Sequence, residues 1–395
     1  MKIALVHDDL IQHGGAERLF EAMVETFPEA DIYTSMDRNP SGLDDDESTR
    51  RVEKSFMQRL PFKEKLYRHY YPLYPLAFES FDFSEYDVVL SSSTRFAHGV
   101  ITRPETLHIC YMNTPPRMFW EPKTYFENFP YPFKSLLNPF LSYLRLWDYT
   151  AAQRVDHFIA NAKTPQARIK KYYGRDSKVI YPFVDLERFD TRMVSNREYS
   201  NNSNTDRMSS NRGNLGIRAD SRKNSSVFEN YFLIVSRLAS WKRIDIAIEA
   251  CNRLKLPLKI IGEGPDFERL KKLAKPTVEL LGRLTDEEVV GYYQNCRALI
   301  FPQKEDFGIT PLEAQAAGKP VIAYRAGGAL ETVIKGQTGE FFHPQTASAL
   351  AAVLKKFDPK RYQKEDCRQQ AERFGKSRFQ TELKSLVEEV YEKHA

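Results

Sequence analysis

Residues 297–324 read RALIFPQKEDFGITPLEAQAAGKPVIAY, and this stretch carries the clearest signal of the fold class. Its apolar start predicts a short buried strand over residues 297–302, and its end predicts a second strand over 319–323. Between them lie a polar loop and a segment with helical periodicity over 311–317. A strand, a helix and another strand in this order are typical of a parallel sheet with crossover helices, so the stretch predicts an α/β domain.

The same alternation extends over both halves of the chain and predicts two such domains. The expected boundaries are 1–182 for the first domain, 183–229 for a crossover and insertion, 230–372 for the second domain and 373–395 for a C-terminal helix that packs back on the first domain. Residues 195–226 are rich in Ser, Asn and Arg and poor in apolar residues, which predicts a disordered surface insertion. The predicted strands are 2–7, 30–34, 86–91, 107–111, 156–160, 178–181, 231–236, 258–262, 277–281, 297–302 and 319–323. The predicted helices are 15–27, 139–154, 163–173, 242–253, 285–295 and 311–317, with further helix over the last 25 residues.

Composition narrows the class of protein. A length of 395 residues suits two domains, and a net charge of +5 is too small for a dedicated nucleic-acid binder, so no nucleic-acid partner is expected. The four cysteines lie far apart, as in a cytoplasmic protein with reduced thiols. The first apolar run ends at His7, too early for a signal peptide. No run of apolar residues is long enough to span a bilayer.

Two glutamates in the opening stretch are the strongest candidate site residues. Glu305 follows the predicted strand 297–302, and Glu313 falls in the first turn of the next helix, so both are expected at the carboxyl edge of the sheet, where open α/β sheets bind ligands. An alternative needs no ligand. Thr310 could cap the helix and Glu313 could complete a capping box with it.

Two cations and two glycines are further candidate ligand-binding residues. Arg237 follows a predicted buried strand and Lys242 enters the next helix, a placement that suits a diphosphate, although two solvated surface charges would give the same pattern. In the first domain, the loop HDDLIQHGGAERLF places Gly14 and Gly15 before a helix whose N-terminus could bind a phosphate or a sugar oxygen. A plain turn explains those two glycines equally well.

The chain resembles the retaining GT-B glycosyltransferases that include bacterial mannosyltransferases of lipid-linked glycan and O-antigen synthesis. The resemblance implies two Rossmann-like parallel-sheet domains that face an interdomain cleft, the second of which binds a nucleotide sugar. It rests on motifs that follow one another along the chain: HGGAER, CYMNTPPRMFW, VIYPFVDLERF, SRLASWK, LLGRLTDEEVVGYYQNC and EDFGITPLEAQAAGKPV.

The resemblance also assigns roles to individual residues. Glu305 would lie beside the donor hexose, Arg237 and Lys242 would neutralise the leaving diphosphate, and Asn113 completes the catalytic set. The remaining donor-binding residues would be Phe307, Gly308, Ile309, Thr310, Glu313 (on the ribose), Arg283, Gly14 and Gly15. Arg117 and His13 would lie on the acceptor side.

One position departs from the pattern. The CYMNTPPRMFW motif usually carries His where this chain has Asn113, and Asn cannot accept a proton as His does. We still expect activity, because in this family the departing phosphate oxygen is thought to take the acceptor proton. No cofactor or metal is expected, and the acidic run at residues 44–46 is interpreted as a solvated loop.

These inferences predict hexosyl transfer, most simply from GDP-mannose, to a glycan or polyprenyl-linked acceptor. A UDP-hexose donor and a noncatalytic nucleotide-sugar-binding protein are the alternatives. Residues 56–83 and 111–149 combine aromatic and basic residues. They would either cover the first sheet or form a surface that docks on the inner face of the membrane or on the acceptor.

Overall fold

The structure is a computed structural model that describes residues 1–12, 14–38, 51–67, 69–122, 131–189 and 231–394, without the side chains of 131–136. The chain forms two compact units. The first contains Met1–Phe183 together with Lys376–Ala395, and the second contains Val184–Gly375. The predicted insertion at 195–226, His13 and the acidic run at 44–46 lie outside the described residues.

The described part of the first unit contains a seven-stranded parallel sheet in the order β3-β2-β1-β4-β5-β6-β7. Its central strands are buried along their whole length because helices and loops cover both faces. The strands are β1 (Ile3–His7), β2 (Asp31–Thr34), β3 (Val52–Lys54), β4 (Val88–Ser93), β5 (Leu107–Met112), β6 (His157–Ala160) and β7 (Ser177–Val179). The helices of Met1–Phe183 are α1 (Gly15–Thr26), α2 (Lys63–Leu66), α3 (Tyr74–Glu79), α4 (Arg117–Trp120), α5 (Tyr131–Arg154) and α6 (Lys163–Tyr173).

The second unit contains a six-stranded parallel sheet in the order β10-β9-β8-β11-β12-β13. In chain order this is 3-2-1-4-5-6, the arrangement of Rossmann-type sheets. The strands are β8 (Phe232–Val235), β9 (Leu258–Ile261), β10 (Val278–Gly282), β11 (Ala298–Phe301), β12 (Val321–Tyr324) and β13 (Gly339–Phe342). The helices are α7 (Ile244–Leu254), α8 (Phe267–Leu273), α9 (Asp286–Asn295), α10 (Thr310–Ala316), α11 (Ala329–Thr332), α12 (Ala347–Lys356) and α13 (Lys364–Glu372).

The last helix, α14 (Lys376–His394), belongs to the first unit. Phe379, Leu383 and Val387 recur at helical spacing on its apolar face and are fully buried in the core of that unit. Arg378 fixes the start of the helix, because its guanidinium donates to the carbonyl oxygen of Tyr181 at 2.7 Å.

The predicted strands agree with the observed ones to within two residues at each end. The prediction gave no bounds for β3, β13 and the helices α2, α3, α4, α8, α11, α12 and α13. It also began the long helix α5 at residue 139, whereas the helix starts at Tyr131 and contains Pro139 in its interior. A proline usually ends a helical pattern, which explains the late start.

The aromatic rings of residues 56–83 mostly cover the first sheet. Tyr74 and Phe78 are fully buried in a core on one face of the sheet, so the covering interpretation is correct for these rings. Other apolar side chains of the aromatic and basic segments are exposed, with Phe62 at 73% and Leu146 at 66%. The described surface of the first unit therefore keeps an exposed apolar component.

Candidate functional site

The strand order of the second sheet marks a position for a ligand. β8 and β11 are neighbours in the sheet although two strands separate them in the chain, so the connections that leave them diverge. In sheets of this kind, a crevice opens at the carboxyl ends of the two strands where the order reverses. Lys242 lies in the connection that follows β8, and Glu305 lies in the connection that follows β11.

Lys242 and Glu305 form an ion pair between Nζ and Oε1 at this crevice. Lys242 is held by a short 3-10 turn, Ser240–Lys242, which Arg243 ends with a left-handed backbone conformation (φ 52°). The side chains are 18% and 25% exposed, so solvent screens the pair only in part. Both groups can still reach a ligand, because neither is fully buried.

The loop that follows Glu305 has a backbone that only glycine can adopt without strain. Gly308 has φ 85°, and a Cβ atom there would lie 2.7 Å from Cζ of Phe301. Phe307 is buried and its ring packs against Phe374 with centroids 5.8 Å apart. The carbonyl oxygen of Glu305 accepts a hydrogen bond from the Gly328 amide at 3.0 Å. The loop therefore holds the backbone of Glu305 in place.

A second close approach of backbones lies beside this loop. Gly262 and Gly264, which follow β9, have φ 132° and 158°, and a Cβ atom on either would overlap a carbonyl of the connection after β8. Arg237 lies in that connection with an exposed side chain, and Arg283 is exposed directly after β10. The predicted cations Arg237, Lys242 and Arg283 thus all follow the carboxyl ends of strands in one sheet.

Glu313 does not form the capping box that the sequence suggested. Helix α10 begins at Thr310 with Ile309 as its N-cap residue, no side chain caps it, and Glu313 lies one position beyond the capping-box site. Its carboxylate instead accepts a hydrogen bond from Tyr293 Oη at 2.8 Å and lies 3.5 Å from Nη1 of Arg188. Burial raises the pKa of Tyr293 well above its usual range, so the phenol stays protonated and donates.

Sequence reasoning missed Arg188 and Tyr293 as partners of Glu313. Both residues lie in motifs that carried the resemblance, VIYPFVDLERF and LLGRLTDEEVVGYYQNC, but a motif does not say which of its side chains points at the site. The contact between Glu313 and Arg188 joins residues 125 positions apart, which no local pattern could predict.

In the first unit, Asn113 follows the carboxyl end of β5 and is half-buried. Its Nδ2 atom donates to Ser92 Oγ at 3.4 Å, and its backbone amide donates to the Ser93 carbonyl at 2.8 Å. The neighbouring Thr114 accepts a hydrogen bond from Arg168 at 3.0 Å. Arg117 opens helix α4 and is half-buried. Asn113 therefore lies on the loop that leads into the helix of Arg117, and Arg168 contacts this loop through Thr114.

Gly14 and Gly15 begin helix α1, as predicted. The amide of Gly14 donates to Glu17 Oε2 at 2.8 Å, so this N–H group is already used within the chain. Their assignment to the donor stays a prediction.

Two aspartates at the carboxyl edge of the first sheet bind the amides and the cation that lie there. Asp8, which follows β1, accepts hydrogen bonds of 2.7–2.9 Å from the amides of residues 94–97 after β4. Asp9 forms an ion pair with Arg95, whose guanidinium also lies over three tyrosine rings. Both carboxylates are buried, and they engage the amides and the cation found at this position.

The described residues lack two further features. They contain no group of three or more His, Cys, Asp or Glu side chains that could hold a metal ion. Within the same part of the chain, no helix combines the length and the apolar composition needed to cross a bilayer.

Comparison with known protein families agrees with this architecture. The family model for glycosyl transferases group 1 matches residues 217–374, and the model for glycosyltransferase family 4 matches residues 13–188. The chain belongs to the GT-B glycosyltransferases.

Curated relatives of this glycosyltransferase include the O-antigen chain mannosyltransferase C of Escherichia coli, 28% identical over 178 residues, and the alpha-1,3/1,6-mannosyltransferase ALG2 of Dictyostelium discoideum, 28% identical over 202 residues. The matches cover 43% and 44% of this chain and 40% and 45% of the relatives, so the chain matches less than half of the length of either. The crystal structure of Anabaena HepE in complex with UDP superposes with a TM-score of 0.67 at 18% identity and covers 98% of this chain and 100% of HepE. This likeness shows the fold.

Proposed function

We propose that the protein transfers a hexosyl group from a nucleoside-diphosphate sugar, with GDP-mannose as the donor, to a glycan or polyprenyl-linked glycan acceptor. The transfer retains the anomeric configuration and needs no metal. The observation that carries this proposal is the Lys242–Glu305 ion pair, which lies where the strand order of the second sheet reverses.

The chemistry required fits these side chains. When the bond between the anomeric carbon and the phosphate oxygen breaks, its electron pair stays on the diphosphate, and Lys242 and Arg237 offer fixed positive charge to that group. The acceptor oxygen then forms the new bond to the anomeric carbon, and its proton passes to the departing phosphate oxygen. Asn113 would position the acceptor by hydrogen bonding, since an amide cannot take that proton.

The choice of mannose is supported by the names of the two curated relatives, both of which are mannosyltransferases. The choice of GDP as the nucleotide comes from the family resemblance of the sequence. The alternative is a UDP-hexose, because HepE was crystallised with UDP-glucose. Glu313 and the cations would bind a ribose and a diphosphate, which both donors contain, so the described site is compatible with either donor.

The test is thermal stabilisation of the purified protein by GDP, UDP, GDP-mannose and UDP-glucose, each with EDTA present. A ligand that binds only the native state raises the melting temperature. We expect a selective rise with GDP and GDP-mannose. A higher melting temperature with UDP and UDP-glucose alone would mean that the donor is a UDP-hexose. A rise that appears only when Mg²⁺ is restored would contradict metal independence. No rise with any of the four ligands would contradict the assignment of a nucleotide-sugar site.

A noncatalytic nucleotide-sugar-binding protein is the rival from another class, and Asn113 is the residue that suggests it. The variant Asn113→His separates the two. We expect wild-type protein to transfer hexose to a lipid-linked acceptor without this change. Tight donor binding by the wild type with no transfer, together with transfer by Asn113→His, would favour the rival.

The membrane partner is a second part of the proposal. Phe62, adjacent to Lys63, and Leu146, adjacent to Arg145, project into solvent from the first unit, and apolar anchors with cationic neighbours suit an anionic lipid surface. Sedimentation with vesicles that contain an anionic lipid should pellet the wild type and leave the double variant Phe62→Ser, Leu146→Ser in the supernatant. Equal recovery of both proteins in the supernatant would reject docking.

A further inference from the structure

Two side chains contact the carboxylate of Glu313, which is only 14% exposed. Tyr293 donates to Oε2 at 2.8 Å, and Arg188 approaches Oε1 from the other side at 3.5 Å. A second acid fixes Arg188 in turn, since its Nη2 atom lies 3.3 Å from Asp286 Oδ2. Phe189 packs edge-on against the ring of Tyr293 at 5.8 Å, so the contacts form one connected cluster.

The geometry of a carboxylate makes this arrangement informative. An ionised carboxylate has two oxygens and about four acceptor positions, and the cluster uses one position on each oxygen. One acceptor position therefore remains on each oxygen, and the carboxylate cannot rotate without losing a bond to Tyr293 or Arg188. Two neighbouring hydroxyl groups would match a pair of acceptors fixed in this way.

We infer that Arg188 and Tyr293 are positioning residues that orient Glu313 toward the vicinal 2′- and 3′-hydroxyls of the donor ribose. This inference rests on the proposed function, because it requires a nucleotide at the site. The arrangement disfavours a deoxyribose, because removing one hydroxyl leaves the second acceptor position of a carboxylate oxygen unfilled in a poorly solvated place.

Charge gives Arg188 a second effect. A nucleoside diphosphate carries negative charge, which a lone carboxylate near it would repel. Arg188 partly balances the charge of Glu313, so the carboxylate can accept hydrogen bonds from the ribose with less repulsion from the diphosphate. The side chain of Arg188 is 20% exposed, and screening by water is therefore incomplete.

The experiment is calorimetric titration with GDP or UDP, whichever the wild type binds, and with its 2′-deoxy and 3′-deoxy analogues. We expect the wild type to bind the ribonucleotide about tenfold or more tightly than either deoxy analogue. Tyr293→Phe and Arg188→Gln should lose most of this preference. Tyr292→Phe is the matched control, since it removes a hydroxyl from the adjacent position of the same helix, and it should keep the wild-type preference.

Thermal melting of each variant shows whether it is folded before its nucleotide preference is compared with that of the wild type. Tyr293→Phe changes one oxygen atom, and Arg188→Lys keeps the charge but not the fork of donors, so these two variants replace Arg188→Gln if that variant unfolds. Full ribose preference in folded variants, or no preference in the wild type, would overturn the inference and leave the proposed function standing. A wild type that binds neither GDP nor UDP would overturn both.

Discussion

Removing either member of the Lys242–Glu305 pair should reduce turnover far more than stability. At about 4 Å and an effective dielectric constant of about 20, a unit charge interacts with another by about 4 kcal/mol. About half a unit of charge develops on the leaving oxygen, so Lys242 should stabilise the transition state by about 2 kcal/mol or more. Loss of a preorganised charge-stabilising donor in other enzymes costs about 3–4 kcal/mol. Lys242→Met should therefore lower kcat by about 30- to 1000-fold.

The stability cost should be small. Both side chains of the pair are partly exposed, at 18% and 25%, so water partly solvates whichever charge is left alone. The expected loss in free energy of unfolding is about 1 kcal/mol, near the value for a partly screened pair. Glu305→Gln should behave in the same way, and the double variant should lose little more than either single variant, because the two groups act as one unit.

The assay measures kcat for transfer by single-turnover mixing, nucleotide affinity by calorimetry, and stability by urea unfolding. The matched control is Lys259→Met, which breaks another partly exposed pair in the same sheet, with Glu279 at 3.3 Å. It should cost similar stability and leave kcat unchanged. The reasoning would be refuted if Lys242→Met and Glu305→Gln kept kcat within threefold of the wild type, or if Lys259→Met lowered kcat equally.

Three further predictions concern the backbone, acid stability and the first unit. Gly308→Ala should lower the free energy of unfolding by about 1–3 kcal/mol and abolish nucleotide binding, because φ at Gly308 is 85° and the new Cβ atom would meet Phe301. Gly282→Ala is the control and should keep nucleotide binding, because Gly282 has a similar φ of 72° with open space around it. Urea unfolding measures the stability of both variants, and calorimetry measures their nucleotide affinity. Burial lowers the pKa of His108 to about 3, against about 6.5 unfolded, so its contribution is complete above pH 6.5 and is lost as the pH falls toward 3. Wild type should lose about 2 kcal/mol between pH 7.5 and pH 5 that His108→Gln does not lose, and parallel pH profiles for the two proteins would contradict this. Asp8→Asn should cost about 2–3 kcal/mol in urea unfolding, because an amide nitrogen cannot accept the N–H bonds that one carboxylate oxygen accepts; an unchanged midpoint would reject this account.

The elements that positioned Glu305 could be predicted because their signals are local. A run of apolar residues predicts β11, and the Pro311 and helical periodicity that follow predict α10 to within a residue. The strand β3 was not predicted, because its three residues, Val52–Lys54, are half-buried at the edge of the sheet and only one of them is apolar. Edge strands bury little, so their sequences carry little pattern.

The environment of Glu313 could not be predicted, because local and distant partners compete for one carboxylate. The sequence offers Thr310 three residues before it, which is the spacing of a capping box. In the folded chain the helix starts one residue earlier than that motif needs, and Tyr293 and Arg188 take the carboxylate instead. Glu313 thus contacts residues that are distant in the sequence and does not cap its own helix, and only the three-dimensional structure shows these contacts.

The two sheets share a strand order, so topology alone predicts a ligand crevice in each of them. What separates them is the chemistry at the reversal. In the first unit, Asp8 accepts the hydrogen bonds of four amides and Asp9 pairs with Arg95, so groups that would attract an anion are bound by carboxylates of the same unit. In the second unit, Lys242 faces one partly exposed carboxylate, and the exposed Arg237 adds a second cation. Of the two reversals, as far as the described residues go, the one between β8 and β11 would therefore offer a diphosphate net positive charge, which is why we propose that the nucleotide sugar binds the second unit.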